Sequence, residues 1–269
     1  MAKAFSIASW NVEHFKNAPN RVADVISLIA GLNPDVFALY EVEGKNVFDE
    51  LVAQMPRYQF HITEGPQVQE ILIGVRSGLT AFFTQKIEFR SGTTHMRPGA
   101  LLTLTIGGES YPVLFLHLSS GPDPRGWGLR DDMLERAVDF RRVLQKGSPK
   151  PINYLFLGDL NTMGLQYHFK EHNILADVEL KKMDAISRKN KMRPLTKDKP
   201  HTWSNGSRSR LKPSNLDHVV AADHLKFRQF GGADVQVRGW PEEATPAAQD
   251  TWIKRFSDHA ILYFEVQRV

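Results

Sequence analysis

The 269-residue chain contains no cysteine. Disulfides, thiolate nucleophiles and thiolate metal sites are excluded together, and the redox compartment stays open. Long apolar runs are missing too, and no stretch approaches the roughly 20 residues of a membrane-spanning helix. The N-terminal segment has one lysine and then Phe5 and Ile7 alternating with polar residues. It lacks the continuous apolar core of a signal peptide, so a soluble cytoplasmic protein with no membrane contact is expected. There is no Gly-x-Ser-x-Gly elbow for a serine nucleophile. No glycine-rich phosphate loop ending in Lys-Ser/Thr precedes a helix, and no repeat recurs at a fixed period.

What is present is ordinary for a globular chain: 42% apolar and 24% charged residues, enough length to bury a core. The formal charge of +4, with a sequence pI near 9.2, permits a polyanionic partner without requiring one. No linker divides the chain, so residues 1–269 are expected to form one domain, and a monomer.

Periodicity gives strand, helix, strand, helix at the start: Ala4 to Val12, Arg21 to Leu32, Asp35 to Leu39, and a helix through Val47, Phe48, Leu51, Val52 and Met55. The middle reads as a meander of strands: Tyr58–Ile62, Glu70–Arg76, Leu79–Phe83, Lys86–Arg90, Ala100–Ile106 and Tyr111–His117. A helix follows over Leu129–Leu144, then a buried strand over Ile152–Leu157 and a short helix over Leu165–Asn173. Leu216–Ala222 and Ala260–Val266 read as late strands, and Gly231–Asp250 as a long surface loop. Two packed sheets with outer helices fit this order better than one doubly wound sheet.

The pattern is organised around Leu155-Phe156-Leu157-Gly158-Asp159-Leu160-Asn161. Gly158 breaks an apolar strand, and a carboxylate and an amide follow two positions apart, on one face of an extended segment. Alone, the stretch fits an Asx turn equally well. Five further segments set polar groups beside an apolar strand: Trp10-Asn11, Tyr40-Glu41, His117, Asp217-His218 and Ser257-Asp258-His259. Each alone has a structural explanation, as a turn cap, a solvated charge or a core histidine. Together they define a chemistry. Carboxylate and amide oxygens suit a hard divalent cation such as Mg²⁺, Mn²⁺ or Ca²⁺, and a histidine with a carboxylate partner suits a base near neutral pH. The scattered His14, His61, His95, His168, His172, His201 and His224 read as surface or core residues.

The ordered set S-W-N (9–11), E-V (41–42), F-L-H (115–117), L-G-D-L-N (157–161), L-D-H (216–218) and S-D-H (257–259) resembles the endonuclease/exonuclease/phosphatase superfamily, the deoxyribonuclease-I-like metal phosphoesterases. The resemblance runs from about residue 5 to 266. It implies a four-layer α/β sandwich, two packed mixed β-sheets flanked by helices, with one site at the top of both sheets. It implies Glu41 as main metal ligand, with Asn11 and Asp258 in the same shell. It implies His259 as general base or phosphate-binding imidazole, oriented by Asp217. Asp159 would hold the attacking water or the catalytic histidine, and Asn161 a phosphate oxygen. His117 matches the family's second histidine. In the nuclease branch a glutamate on an earlier strand pairs with that histidine, and Glu70 stands in the corresponding place. Met96-Arg97-Pro98 resembles the loop whose arginine contacts the substrate backbone. Tyr40 departs from the pattern, standing where most members have Gln.

The segment Leu180 to Lys212 is dense in Lys and Arg, with Trp203 among them. It reads either as a solvated basic face or as a groove wall that tracks a phosphate backbone through Lys189, Lys191 and Arg193. The resulting expectation is a Mg²⁺-dependent phosphodiesterase acting on nucleic acid, DNA favoured. The alternatives are a phosphomonoesterase or a phospholipid or inositol phosphate phosphoesterase on the same scaffold, and, from another class, a non-catalytic binding module.

Overall fold

The computed structural model describes residues 2–16, 18–65, 69–90 and 97–269; His95 and Met96 lie outside them. The elements are β1 (Lys3–Phe15), α1 (Pro19–Leu32), β2 (Val36–Val42), α2 (Lys45–Gln54), β3 (Tyr58–Ile62), β4 (Glu70–Arg76), β5 (Thr80–Lys86), β6 (Gly99–Ile106), β7 (Glu109–His117) and α3 (Pro124–Lys146). They continue with β8 (Leu155–Asp159), α4 (Ala176–Lys189), β9 (Met192–Pro194), β10 (Asp217–Ala222), β11 (Gln236–Arg238), α5 (Pro246–Arg255) and β12 (Ile261–Gln267). The strands form two mixed six-stranded sheets, ordered β11-β12-β1-β2-β4-β3 and β5-β6-β7-β8-β10-β9.

Alternation along the strands builds the middle of the molecule. Phe5, Ile7, Val36, Ala38 and Tyr40 from the first sheet meet Leu102, Val113, Phe115, Leu155 and Leu157 from the second, all fully buried. The opposite faces are also apolar and take the helices. Val22, Val25, Ile26 and Ile29 of α1 pack on Trp10 and Leu39, while Met133, Leu134, Ala137 and Val138 of α3 pack on Leu114, Leu116 and Phe156. Helix, sheet, sheet and helix give the four layers expected. Asn33, in the left-handed region at φ 51°, and the proline after it end α1. Asp123 starts α3 by accepting the Arg125 and Gly126 N–H groups.

Several local expectations are corrected. Residues Ile87–Arg90 form a 3₁₀ turn rather than a strand. Leu165 to Asn173 is a loop closed by a bridge between Leu165 and Ile174, with one 3₁₀ turn inside it. Gly231–Asp250 is no surface loop: it holds β11 and the start of α5 and buries Val235, Val237 and Trp240. Helix α4, absent from the expected elements, packs Met183 with half-buried Leu180 and Ile186 on the second sheet and buries Glu179 and Ser187 as well.

Glu179 explains that helix. Arg130 of α3 is wholly buried and donates from Nε to Glu179 Oε1 at 2.9 Å. Its other nitrogens reach the carbonyls of Gly121, at 2.6 Å, and Gly164, at 2.8 Å, and Glu179 Oε2 accepts the Gly164 N–H at 2.7 Å. One ion pair thus ties two helices to the loops that follow β7 and β8. Glu179→Ala leaves a buried guanidinium without its anion, which costs about 3–5 kcal/mol. Urea denaturation of the variant is expected to show that loss, and a change under 1 kcal/mol would contradict the strut assignment.

Candidate active site

Strand direction brings the polar segments together. β1 and β2 are parallel, as are β7 and β8. β12 is antiparallel to β1, and β10 to β8. The ends of the parallel pairs and the beginnings of their antiparallel neighbours therefore share one edge. Asn11, Glu41, His117, Asp159, Asn161, Asp217, Asp258 and His259 all lie there, at the mouth of a cleft of about 670 Å³ that six of them line.

Asp159 is the hub. Its Oδ2 accepts from Asn11 Nδ2 at 2.9 Å and faces His117 Nε2 at 3.6 Å and His259 Nε2 at 3.7 Å. Its Oδ1 accepts the Asn161 N–H at 3.0 Å. Asn161, at φ 50°, donates its amide to the Leu118 carbonyl at 3.1 Å. His259 Nδ1 meets Asp217 Oδ2 at 2.8 Å. Ser257 steadies this corner: its Oγ donates to the Asn11 carbonyl at 2.7 Å and accepts the His259 N–H at 3.1 Å. Tyr40, the departure from the family pattern, is fully buried, shares a 3.1 Å hydrogen bond with Ser9, and sets its ring edge-on to His117.

Glu41 sits beside the hub at φ 63°, a conformation that a non-glycine residue adopts only under constraint. Its Oε1 accepts from Asn11 Nδ2 at 3.1 Å and its Oε2 from the His14 N–H at 2.9 Å. Asp258 accepts from Trp203 Nε1 at 2.6 Å. Burial raises the Glu13 carboxyl and the charges of Asp258 and Glu41 add to the rise, while Arg21 and a backbone hydrogen bond at Asp258 oppose it. Anionic oxygens gathered with too few cations are the donor set of a hard divalent ion. Asn11 Oδ1 already accepts the Glu13 N–H at 3.0 Å, so an oxygen ligand from Asn11 requires its amide to turn over. Asp159, Asp217 and His259 also bring ligand atoms within 4.8 Å of one another. In that trio, however, Asp217 Oδ2 and His259 Nδ1 already satisfy each other.

Burial and charge set the protonation states. His117 is pushed well below the usual imidazole range by burial, then by Arg97 and His259, and is neutral. Burial raises the Asp159 carboxyl to about 7, with His259 pulling against the rise and Asp217 adding to it. Burial disfavours charge on His259, but Asp217 and Asp159 prevail and lift it to about 10.

Other expected residues are placed differently. Glu70 does not pair with His117. Its oxygens are taken by Thr63 Oγ1 and, at 2.8 Å, the Gly65 N–H, while His117 Nδ1 is buried without a partner. Arg97 does line the cleft and donates to Gln69. Lys189, Lys191 and Arg193 do not: β9 runs antiparallel to β10, pairing Met192 with Ala222, so these residues sit at the far end of the sheet from Asp217. Arg193 is consumed by Asp234 at 2.7 Å and by the Phe227 ring. From the basic segment it is Lys212 that lines the cleft, beside Trp203.

Two residues escaped sequence reasoning. His14, read as surface or core, lines the cleft and holds Glu43 at 2.8 Å. Its only signal is its position three residues after Asn11. Lys197 runs beneath the site, donating to Asn215 and, at 2.5 Å, to the Asp217 carbonyl, and burial brings its ammonium to about 7 against the pull of Asp217.

The raised His259 value carries a sign. A histidine raised on folding stabilises fully below its ordinary value of 6.5, and that stability is lost as pH climbs toward about 10. Asp217→Asn removes the main anion. NMR titration of the His259 ring should show its pKa falling, and the variant should lose more stability below pH 6.5 than near pH 10. An unmoved His259 titration would break the pairing.

Comparison with known proteins bears on the family and the fold. A family model described as Endonuclease/Exonuclease/phosphatase family matches residues 8–259. No curated protein matches by sequence. Among solved structures, truncated Caenorhabditis elegans TDP2 is 17% identical with a TM-score of 0.68, covering 98% of this chain and 97% of that one. D. rerio TDP2 complexed with a single strand DNA product is 18% identical with a TM-score of 0.66, covering 98% and 99%. The Bacteroides thetaiotaomicron mannosyl-6-phosphatase Bt3783 is 13% identical with a TM-score of 0.61, covering 98% and 100%. With the family model spanning nearly all of both sheets and every strand end described above, the chain belongs to the endonuclease/exonuclease/phosphatase family of metal-dependent phosphoesterases.

Proposed function

We propose that the protein is a divalent-metal-dependent phosphodiesterase that hydrolyses nucleic acid, DNA in preference. The observation that carries the chemistry is the inter-sheet cluster of Asp159, His259, Asp217 and neutral His117 beside Glu41. The observation that favours a nucleic acid is the cleft wall: Arg97 and Lys212 supply cations for backbone phosphates and Trp203 an aromatic beside them. The similar D. rerio TDP2 structure, complexed with a single strand DNA product, points the same way.

Glu41 and Asp258, with Asn11 turned over, would hold Mg²⁺, and Mn²⁺ or Ca²⁺ suit the same oxygen set. Such an ion polarises a phosphoryl oxygen as a Lewis acid. The protein groups do the rest. A base must be unprotonated at the working pH, and an imidazole lifted to about 10 is not. We therefore propose a division of labour different from the expected water activation by the His259–Asp217 pair. Asp159, its carboxyl raised to about 7, takes the proton of the attacking water. His259, held as an imidazolium by Asp217, donates to a phosphate oxygen. The water oxygen bonds to phosphorus, the bond to the leaving oxygen breaks, and that oxygen takes a proton from solvent as it departs. His117 and Asn161 donate to the crowded transition state.

Two experiments test the reading. The first is hydrolysis of single-stranded DNA, plasmid DNA, RNA, inositol phosphates and sugar phosphates in Mg²⁺. Nucleic acid should be preferred, excess EDTA should abolish turnover, and Glu41→Gln should lower both Mg²⁺ affinity and rate. A preferred sugar or inositol phosphate would return the protein to the phosphomonoesterase reading. The second is the pH–rate profile. Asp159→Asn should cost roughly 10²–10⁴-fold, and Asp217→Asn should move the alkaline limb to lower pH as His259 loses its proton more readily. Movement of the acidic limb alone would restore His259 as the base.

A further inference from the structure

A second cavity, of about 590 Å³, lies at the opposite end of the second sheet, where α3, the end of α4 and the turn after β10 meet. β10 spans six residues at ~3.3 Å each, so about 20 Å of packed sheet separates it from Asp217. Arg141 and Arg142 come from α3, Lys189 and Lys191 from the end of α4 and the turn beyond it, and Asp223 and His224 close the β10 side. Arg142 is paired with Asp139 at 2.6 Å, and His224 with Asn153 at 2.8 Å. Among the described residues the Lys189 and Lys191 side chains have no ion pair or hydrogen bond.

Arg141 is the feature that packing does not explain. It is only 8% exposed, lines the cavity, and its Nε has no hydrogen-bond partner. Asp223 attracts it from a distance without forming an ion pair among the described residues. A guanidinium does not shed its proton, so it keeps its charge and its unmet donors in a place where both are costly. Four cations, Arg141, Arg142, Lys189 and Lys191, stand against two carboxylates, Asp139 and Asp223. The excess of two positive charges matches a phosphate group, which carries about −1.5 to −2 near neutral pH as a monoester. Donors converging from two helices and a turn suit tetrahedral oxygens better than a planar carboxylate.

We propose that this cavity is a second, non-catalytic anion site that binds a phosphate group against Arg141, with Lys189 and Lys191 as its outer charges. The ligand is a phosphate of a small molecule or of a nucleic-acid backbone; a mononucleotide cannot touch both this site and the active site. Binding is read without hydrolysis, so the inference stands or falls apart from the catalytic reading.

The test is NMR titration of the full chain in EDTA, first with inorganic phosphate and then with a single-stranded oligonucleotide. The backbone amides of Lys191, Asp223 and His224 are expected to shift saturably. The variant Lys189→Ala/Lys191→Asn should weaken that binding about tenfold, while hydrolysis of a small chromogenic phosphodiester in Mg²⁺ stays within about twofold. Asn is chosen because Lys191 lies at φ 55°, which Asn tolerates. Arg141→Met should abolish binding, and should it fail to fold, the exposed double variant still decides. Saturation at lower concentration by the oligonucleotide supports a backbone phosphate, and saturation by inorganic phosphate alone supports a small ligand. No saturable shift at these amides, or equal binding by the double variant, overturns the site.

Discussion

The close approach of the two sheets at one edge is the constraint on which everything else rests. Gly158 makes it possible. At φ 140° it follows a path open to glycine, and a Cβ there would stand 2.0 Å from the Leu116 carbonyl and 2.8 Å from the Tyr40 hydroxyl. Tyr40 belongs to the first sheet and Leu116 to the second, so a single hydrogen atom marks where both strands close in. The hydrogen bonds that matter cross this gap: Asn11 to Asp159, and His259 to Asp217. Neither sheet holds a complete site. Positioning is therefore a property of the interior packing rather than of any one loop, and small shifts between reacting groups are costly in rate.

The same gap accounts for the electrostatics. Asp159 and Asp217 are carried in on β8 and β10, buried almost completely, and balanced by His259 from the first sheet. Little of either carboxylate faces solvent, so each charge is felt by its neighbours. One imidazole, His117, is held neutral, while the other, His259, is held charged, although both face the same carboxylate oxygen. The difference is Asp217, which touches only one of them. The Arg130–Glu179 strut serves this arrangement indirectly, by fixing the loops beyond His117 and Asn161.

Much of this was legible in the chain because strand ends are short-range facts. The apolar run before Gly158 states the strand and Asp159 the site, although β8 runs on through Gly158 to Asp159 and Asn161 follows in an Asx turn rather than in extended chain. Chain proximity to Asp217 was a poor guide for Lys189, Lys191 and Arg193, since an antiparallel turn carries them to the other end of the sheet. Glu70 stands on the right strand, but two local donors, Thr63 and Gly65, occupy it. Helix α4 was not legible because its short apolar stripe, Leu180, Met183 and Ile186, is set among charged residues and shares the buried side with Glu179. The left-handed backbone at Glu41 and His14 leaves no mark in residue type at all.

The pairing of β12 with β1 has a consequence for the order of events during synthesis. β1 leaves the ribosome long before β12, its neighbour in the sheet, and His259 sits just ahead of β12. A chain that has emerged as far as α5 holds Glu41, His117, Asp159 and Asp217 but lacks His259, the imidazole that joins Asp159 to Asp217. The first sheet closes only when its two sequence-distant halves meet, a late and non-local step. A chain cut between α5 and His259 thus keeps most of the polar strand ends but cannot form the His259–Asp217 link between the sheets.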